Sequence, residues 1–279
     1  MITMRDLTFQ YKGSSENALC GVQLTVEQGD FLGIIGASGA GKSTLLSVIS
    51  GVVPHHNQGD FYGSCVVDGM DTVEVTMTDI SRVVGSVFQD IDGQMVSSVV
   101  EDEVLFALEN FGFGKAEIER RLSTALEQVG IAHLRNRSLD SLSGGQKQKV
   151  ALAAMMALQP KVLVLDEPTG ELDPASSRQF YLLLRELNRQ NGTTVVVVEQ
   201  KIMLLCEFAK RLAVMDGGKI ARIGTVREML AETDVLEELG VHCPRVASLC
   251  TELRRRGLYA GQTPIDVEEG VRMVREVTA

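Results

Sequence analysis

The 279-residue chain has no tryptophan and only 6 prolines, set against 27 glycines. So much glycine without proline is a poor match for a loose linker and suits backbone that must approach something closely. Cysteine is sparse and unpatterned. Cys20, Cys65, Cys206, Cys243 and Cys250 are odd in number and include no C-x-x-C pair. That excludes a disulfide framework and predicts small core residues of a reduced, cytosolic protein. The four histidines include the pair His55-His56, but no cysteine or carboxylate stands beside it at metal-ligand spacing. No metal site is expected there. Long apolar runs are also missing, because Val162–Leu165 and Val195–Val198 are far too short to cross a bilayer. The opening MITMRDLTFQYK has no basic stretch followed by an apolar one, so no signal peptide is expected. A net charge of −10 argues against gripping nucleic acid by bulk charge. What remains, 44% hydrophobic and 23% charged, is an ordinary globule: one large domain, or a domain with an appendix.

Short β-branched runs punctuate the chain at Ile2–Tyr11, Phe31–Ile35, Val83–Phe88, Val162–Leu165, Thr193–Val198 and Arg211–Met215. Continuous apolar runs of this kind are expected of parallel strands covered on both faces. Helical patterns alternate with them at Ser43–Ser50, Glu117–Val129, Ser143–Leu158 and Ser176–Gln190. The alternation predicts an α/β fold around a mainly parallel sheet. The stretch from about 90 to 160 is helical by pattern and interrupts the strand series, which predicts an inserted helical subdomain. Beyond Gly224 the strand signals stop. Leu236, Leu239, Val246, Leu249 and Leu253 are spaced for short helices, with Pro244 and Pro264 as breakers, so residues 225–279 are expected to form a helical C-terminal extension.

Gly36-Ala-Ser38-Gly39-Ala40-Gly41-Lys42-Ser43 fits G-x-x-x-x-G-K-[ST], lies between the apolar strand FLGII and the helical TLLSVIS, and is extended by Thr44. Glycines are needed there because backbone N–H groups must wrap a polyphosphate without a Cβ in the way. The helix N-terminus adds positive potential, Lys42 can reach the β- and γ-phosphates, and the Ser43 hydroxyl can ligate Mg²⁺. The strand Val162–Leu165 ends in Asp166 and Glu167. At such a strand end Asp166 can hold the Mg²⁺ shell while Glu167 polarises an attacking water. Together these motifs point to a nucleoside triphosphate that is bound or hydrolysed. Ser143, Gly144, Gly145 and Gln146 open a helix with a second cluster of N–H groups. One chain cannot easily use both clusters on one γ-phosphate, which predicts a dimer in which each chain completes its partner's site.

With these residues in order, the chain resembles the ATP-binding-cassette ATPases, and within them the ATPase subunits of energy-coupling-factor (cobalt and vitamin) importers. The finer likeness rests on GVVPHHNQGDFYGSCVVDG, FQDIDGQMVSSVVEDEVLFALENFG and the tail ELGVHCPRVASLCTELRRRGL. The resemblance implies a P-loop core, an antiparallel β subdomain, an inserted helical subdomain and a helical extension that serves dimerisation. It implies residues 1–224 as the nucleotide-binding domain. Tyr11 takes the adenine-stacking position, and Gln89 is the loop glutamine near the water and the Mg²⁺. Leu142–Gln146 is the signature, and Glu171-Leu172-Asp173 is the D-loop, with Asp173 among the implied nucleotide-binding residues. ATP and Mg²⁺ are the implied ligands. The implied partners are a second ATPase chain, a transmembrane scaffold received near Gln94 and Met95, and a membrane substrate-binding subunit, at the cytoplasmic face of the membrane. One position departs from the pattern. Where a switch histidine is expected the chain reads Glu199-Gln200-Lys201, with Gln200 in the histidine's place. Glutamine can hydrogen-bond a phosphate oxygen but cannot carry charge or shuttle a proton. The expectation is an asymmetric heterodimer whose weakened site is built on this chain's Walker motifs. A homodimeric ATPase of another importer, a soluble non-transport cassette, or an ATP sensor without turnover are the alternatives.

Overall fold

The computed structural model describes residues 1–278 and contains two sheets. The first is wholly antiparallel, in the order β2 (Leu19–Val26), β1 (Ile2–Tyr11), β4 (Gly59–Val67) and β5 (Met70–Asp71). The second runs β10 (Lys219–Thr225), β9 (Arg211–Asp216), β3 (Phe31–Ile35), β8 (Thr194–Val198), β7 (Val162–Asp166) and β6 (Val84–Val87), parallel except for the β9–β10 hairpin. The architecture is the expected α/β core with an antiparallel sheet beside it.

The parallel strands are covered on both sides. Phe31, Ile35, Leu163, Leu165, Val195, Val197, Leu212 and Val214 enter one hydrophobic cluster, while their alternating neighbours Leu32, Ile34, Val162, Val164, Val196, Val198, Ala213 and Met215 enter another. That two-residue alternation between two apolar layers is why these strands read as unbroken apolar runs. The expectation for Ile2–Tyr11 needs correcting, because β1 pairs antiparallel with both β2 and β4. It buries Ile2, Met4, Leu7 and Phe9, and an irregularity between Arg5 and Thr8 shifts the alternation. One-faced burial is the mark of an antiparallel strand. β2, β4, β5 and β10 carry no apolar run long enough to announce them; in β2 the buried Leu19, Val22, Leu24 and Val26 are separated by Cys, Gly, Gln and Thr.

Between β6 and β7 lie the helices Ile91–Gln94, Val100–Asn110, Lys115–Gln128 and Gly144–Ala157. The last is buried around most of its circumference, from Gln148 to Ala157. Helices Val226–Ala231, Thr233–Glu238, Arg245–Arg255 and Val267–Thr278 follow β10. Arg227 ties the end of this region back, donating to Glu269 at 2.7 and 2.9 Å and to the Thr263 carbonyl at 2.8 Å. The helix Arg245–Arg255 buries the smaller Ala247 and Cys250 and leaves Leu249 exposed. Cys65, Cys206 and Cys250 are buried, Cys20 and Cys243 are half-buried, and all five thiols are free. Among the described residues no helix is long and apolar enough to cross a membrane, and no cluster of potential metal ligands forms at His55-His56 or elsewhere.

Candidate active site

β3 ends at Ile35, and the chain then turns through Gly36–Gly41 into the helix Lys42–Ile49. Gly36 has φ +150°, and a Cβ there would lie 2.2 Å from the Met215 carbonyl oxygen. Gly41 has φ +94°, with the Ala18 carbonyl 2.5 Å from the corresponding Cβ position. Only glycine satisfies both the torsion and the space at these two positions. Lys42 folds back over the loop, its ammonium donating to the carbonyls of Gly36 at 2.9 Å and Ala37 at 2.8 Å. No side chain caps the helix that begins at Lys42, so its first-turn N–H groups face the loop, as an anion site requires. Ser38, Gly39 and Ala40 form the intervening arch, with Ala40 buried and the other two exposed. Thr44 is buried, and its hydroxyl lies 3.0 Å from the Tyr11 hydroxyl. Tyr11 packs edge-on against Phe9, with ring centroids 4.8 Å apart, so its phenol links the antiparallel sheet to the helix behind the loop.

Asp166 and Glu167 stand at the end of β7. Burial pushes the Asp166 carboxyl above the ordinary carboxylate range; a hydrogen bond from Ser43 opposes the shift and the neighbouring Glu167 charge adds to it. A hydroxyl and a half-buried carboxylate in contact offer the hard oxygen donors that Mg²⁺ takes, so Ser43 and Asp166 fit that ion. Glu167 has φ +47°, and its N–H donates to the Val198 carbonyl at 2.9 Å. Both of its carboxylate oxygens accept from Gln200 Nε2, at 2.8 Å each. The two residues therefore meet side chain to side chain across the ends of adjacent parallel strands.

The flanking residues Glu199 and Lys201 belong to a network that motif reading did not reach. Glu199 is buried and accepts from Thr169 Oγ1 at 2.6 Å, from the Tyr181 hydroxyl at 3.4 Å, and from the backbone N–H groups of Gln200 at 3.0 Å and Lys201 at 3.3 Å. Burial drives the Tyr181 phenol well above its ordinary pKa, and the adjacent Glu199 charge adds to the shift. The Lys201 ammonium donates to the carbonyls of Thr169 and Leu172, the latter at 3.1 Å, and to Ser177 Oγ at 3.2 Å. This segment thus holds the Thr169–Leu172 turn from two sides. A carboxylate directly following a fully buried strand was the signal available in the sequence.

Ser143 caps the helix Gly144–Ala157, accepting from the Gln146 N–H at 3.4 Å while Gln146 Oε1 accepts from the Ser143 N–H at 3.0 Å. Asp173 caps the helix Pro174–Asn191, and its hydrogen bonds from Ala175 and Ser176 hold its carboxyl below the usual range. A cleft of 580 Å³ gathers Gln89, Gly144, Glu167 and Gln200, whereas Ser143, Gly145 and Gln146 line a separate cavity beside Leu172 and Ser176. Gly36, Ser38 and Lys42 line neither of these. The two N–H clusters therefore do not converge on one cavity within the chain. Gln94 braces the loop that carries it. Its side chain turns into its own loop, donating to the Ser86 carbonyl and accepting from the Phe88 N–H, both at 3.0 Å, while Phe88 and Val96 are exposed beside it.

Residues 19–170 match the model of the ABC transporter family. A relative from Pyrococcus abyssi with a provisional ABC transporter ATP-binding name is 40% identical over 258 residues, covering 92% of each chain. One from Methanosarcina mazei, with the same kind of name, is 38% identical over 96% of this chain. The chain spans 45% of that protein's length and 42% of a Methanosarcina acetivorans relative. Among solved structures, cbiO1 of Clostridium perfringens, described as part of the ABC transporter complex cbiONQ, matches with a TM-score of 0.76 and 30% identity, covering 89% of this chain and 97% of the other. An ATP-binding cassette dimer in a post-hydrolysis state with ADP and Pi matches with a TM-score of 0.70 and 27% identity over 81% of this chain and 99% of that one. With its phosphate loop, its strand-end carboxylates and the helix-opening signature in place, the chain belongs to the ABC transporter family of ATP-binding proteins.

Proposed function

We propose that the chain is the ATP-hydrolysing subunit of an energy-coupling-factor-type importer for a vitamin or a transition-metal ion, working at the cytoplasmic face of the membrane. The likeness to a component of cbiONQ supports the transporter class. In this reading the N–H groups of Gly36–Gly41 and the Lys42 ammonium hold the β- and γ-phosphates, and Tyr11 meets the base. Ser43, Asp166 and the Gln89 carbonyl would hold Mg²⁺, which would supply neutralisation of the charge on the triphosphate. Glu167 accepts a proton from the attacking water. Residues 1–224 form the nucleotide-binding domain, with an inserted helical subdomain over about 90–160, and 225–279 a dimerising extension. The signature Ser143–Gln146 and Asp173 serve the site of a second ATPase chain. A transmembrane scaffold and a substrate-binding membrane subunit complete the assembly.

The observation that carries the most content is the two-armed contact of Gln200 with Glu167. The amide thereby occupies both of the oxygens with which Glu167 would take the proton of the attacking water. Gln200 itself cannot take up the released proton. This supports a heterodimer in which this chain's own site is the slower one. Single-turnover hydrolysis at each site of the reconstituted dimer tests it. We expect slower turnover at the Gln200 site and a gain in Gln200→His; equal rates, unchanged by that substitution, would sink the asymmetry. Glu167→Gln is expected to abolish turnover while keeping ATP binding. Turnover that survives in Glu167→Gln would overturn the base assignment.

A further inference from the structure

The phosphate loop has a neighbour that the motifs do not announce. The helix Thr233–Glu238 ends in a left-handed Gly240 (φ +73°), with the Gly240 N–H donating to the Glu237 carbonyl at 3.0 Å and the Val241 N–H to the Leu236 carbonyl at 2.9 Å. This paired closure, with Val241 and Leu236 both in the main hydrophobic cluster, fixes where the chain goes next. A Cβ built on Gly240 would lie 4.0 Å from Ala37 Cβ, so the tip of the extension rests against the phosphate loop. Pro244 is buried immediately afterwards and opens the helix Arg245–Arg255, pinning the far side of the tip. His242, between these anchors, lines a cavity of 260 Å³ together with Gly36, Ser38, Lys42 and Gln200.

That cavity borders the loop at Lys42, whose ammonium is the group read as the γ-phosphate contact, and Gln200 is the residue that stands at the switch position. We propose that His242, carried by the C-terminal extension, is a ligand of the terminal phosphate of ATP at this chain's own site, and supplies the imidazole that Gln200 does not. An imidazole ring on a pinned loop offers an N–H donor when neutral and two when protonated, and both arrangements favour a phosphate oxygen. A contact at the terminal phosphate distinguishes ATP from ADP. The extension then completes the nucleotide site in addition to any part it has in pairing chains. The inference rests on the reading of Gly36–Thr44 as the triphosphate loop.

The test compares binding of Mg²⁺–AMP-PNP and Mg²⁺–ADP to the full chain by calorimetry, in the wild type, His242→Ala, His242→Gln, Gln200→His/His242→Ala and Lys42→Ala. His242→Ala is expected to bind AMP-PNP about tenfold more weakly, with ADP affinity unchanged; tenfold corresponds to about 1.4 kcal/mol. His242→Gln, which keeps a donor, is expected to fall between, and the double variant to recover the lost affinity. Equal losses for both nucleotides, no loss for either, or no recovery in the double variant would overturn the proposal. His242→Gln provides the same comparison if His242→Ala melts early. Lys42→Ala is expected to weaken both nucleotides. If the wild type binds neither, or Lys42→Ala binds both as well as the wild type, the phosphate-loop reading itself has failed rather than the role of His242.

Discussion

Two short segments meet at the carboxyl ends of neighbouring parallel strands and are built by opposite means. Ile34 of β3 pairs with Val198 of β8, and two residues further on lie Gly36 and Gln200. The first segment, Gly36–Thr44, is a backbone device, shaped by left-handed glycines and by carbonyls that its own lysine ties together. The second, Glu199–Lys201, is a side-chain device in which each residue reaches a different part of the structure. Glu199 goes inward to Thr169 and Tyr181, Gln200 across to Glu167, and Lys201 along to Thr169 and Leu172. A backbone device depends on the absence of side-chain atoms, and adding one breaks it. A side-chain device depends on partners, and deleting one breaks it.

The largest expected effect comes from adding a methyl group to the backbone device. Gly36→Ala places a Cβ against the Met215 carbonyl in a torsion that alanine resists, and should cost about 2–3 kcal/mol or more. Thermal denaturation and nucleotide titration should show both stability and ATP binding lost together. A variant that melts and binds like the wild type would remove the distinction between the two segments.

Deleting a partner from the side-chain device should come next. Glu199→Ala leaves the Thr169 hydroxyl, the Tyr181 phenol and two backbone N–H groups without their acceptor in a buried place. A loss of about 1–3 kcal/mol by denaturant melting is expected. Its ATP affinity should suffer less than that of Gly36→Ala, because the loop's own hydrogen bonds are untouched.

The smallest effect concerns Asp166, which touches the first segment through Ser43 and the second through its neighbour Glu167. Its pKa in the folded chain is raised, so its contribution to stability is fully present below the unfolded pKa and is lost as pH rises through the folded value. At pH 7 the ionised carboxyl therefore weakens the ligand-free fold. Asp166→Asn should raise the melting temperature there by roughly 1–3 °C and flatten its fall with rising pH. On the proposed Mg²⁺ role of Asp166, the same variant should gain less stabilisation than the wild type from added Mg²⁺ with nucleotide. An unchanged or lower melting temperature would contradict the burial argument.

The two segments also differ in how well the sequence revealed them. The phosphate loop was legible because everything it needs is contiguous: its glycines, its lysine and the strand and helix on either side lie within Phe31–Ile49. The strand-end carboxylates Asp166 and Glu167 were legible because an all-apolar strand announces its own end. Glu199 was not, because its partners Tyr181 and Thr169 are 18 and 30 residues away and meet it only after β7, the helix Pro174–Asn191 and β8 have packed together. The position of Gln200 could be read by alignment, but its contact with Glu167 could not. β2 and β4 escaped for a different reason, since a strand with one solvated face spreads its apolar residues too thinly to be told from a loop. The tip at Gly240–His242 was read only as part of a helical tail, because no local pattern encodes which distant loop a turn will touch.

Tyr11 gives the molecule an optical handle. Its ring stands behind the phosphate loop, hydroxyl to hydroxyl with Thr44, in a chain that has no indole anywhere. Tyr11→Trp would therefore install a sole fluorophore of its kind, with no background to subtract. On the proposed role of Tyr11, its emission would report the arrival of the base directly, and phosphate occupancy only as far as that occupancy is transmitted through Thr44.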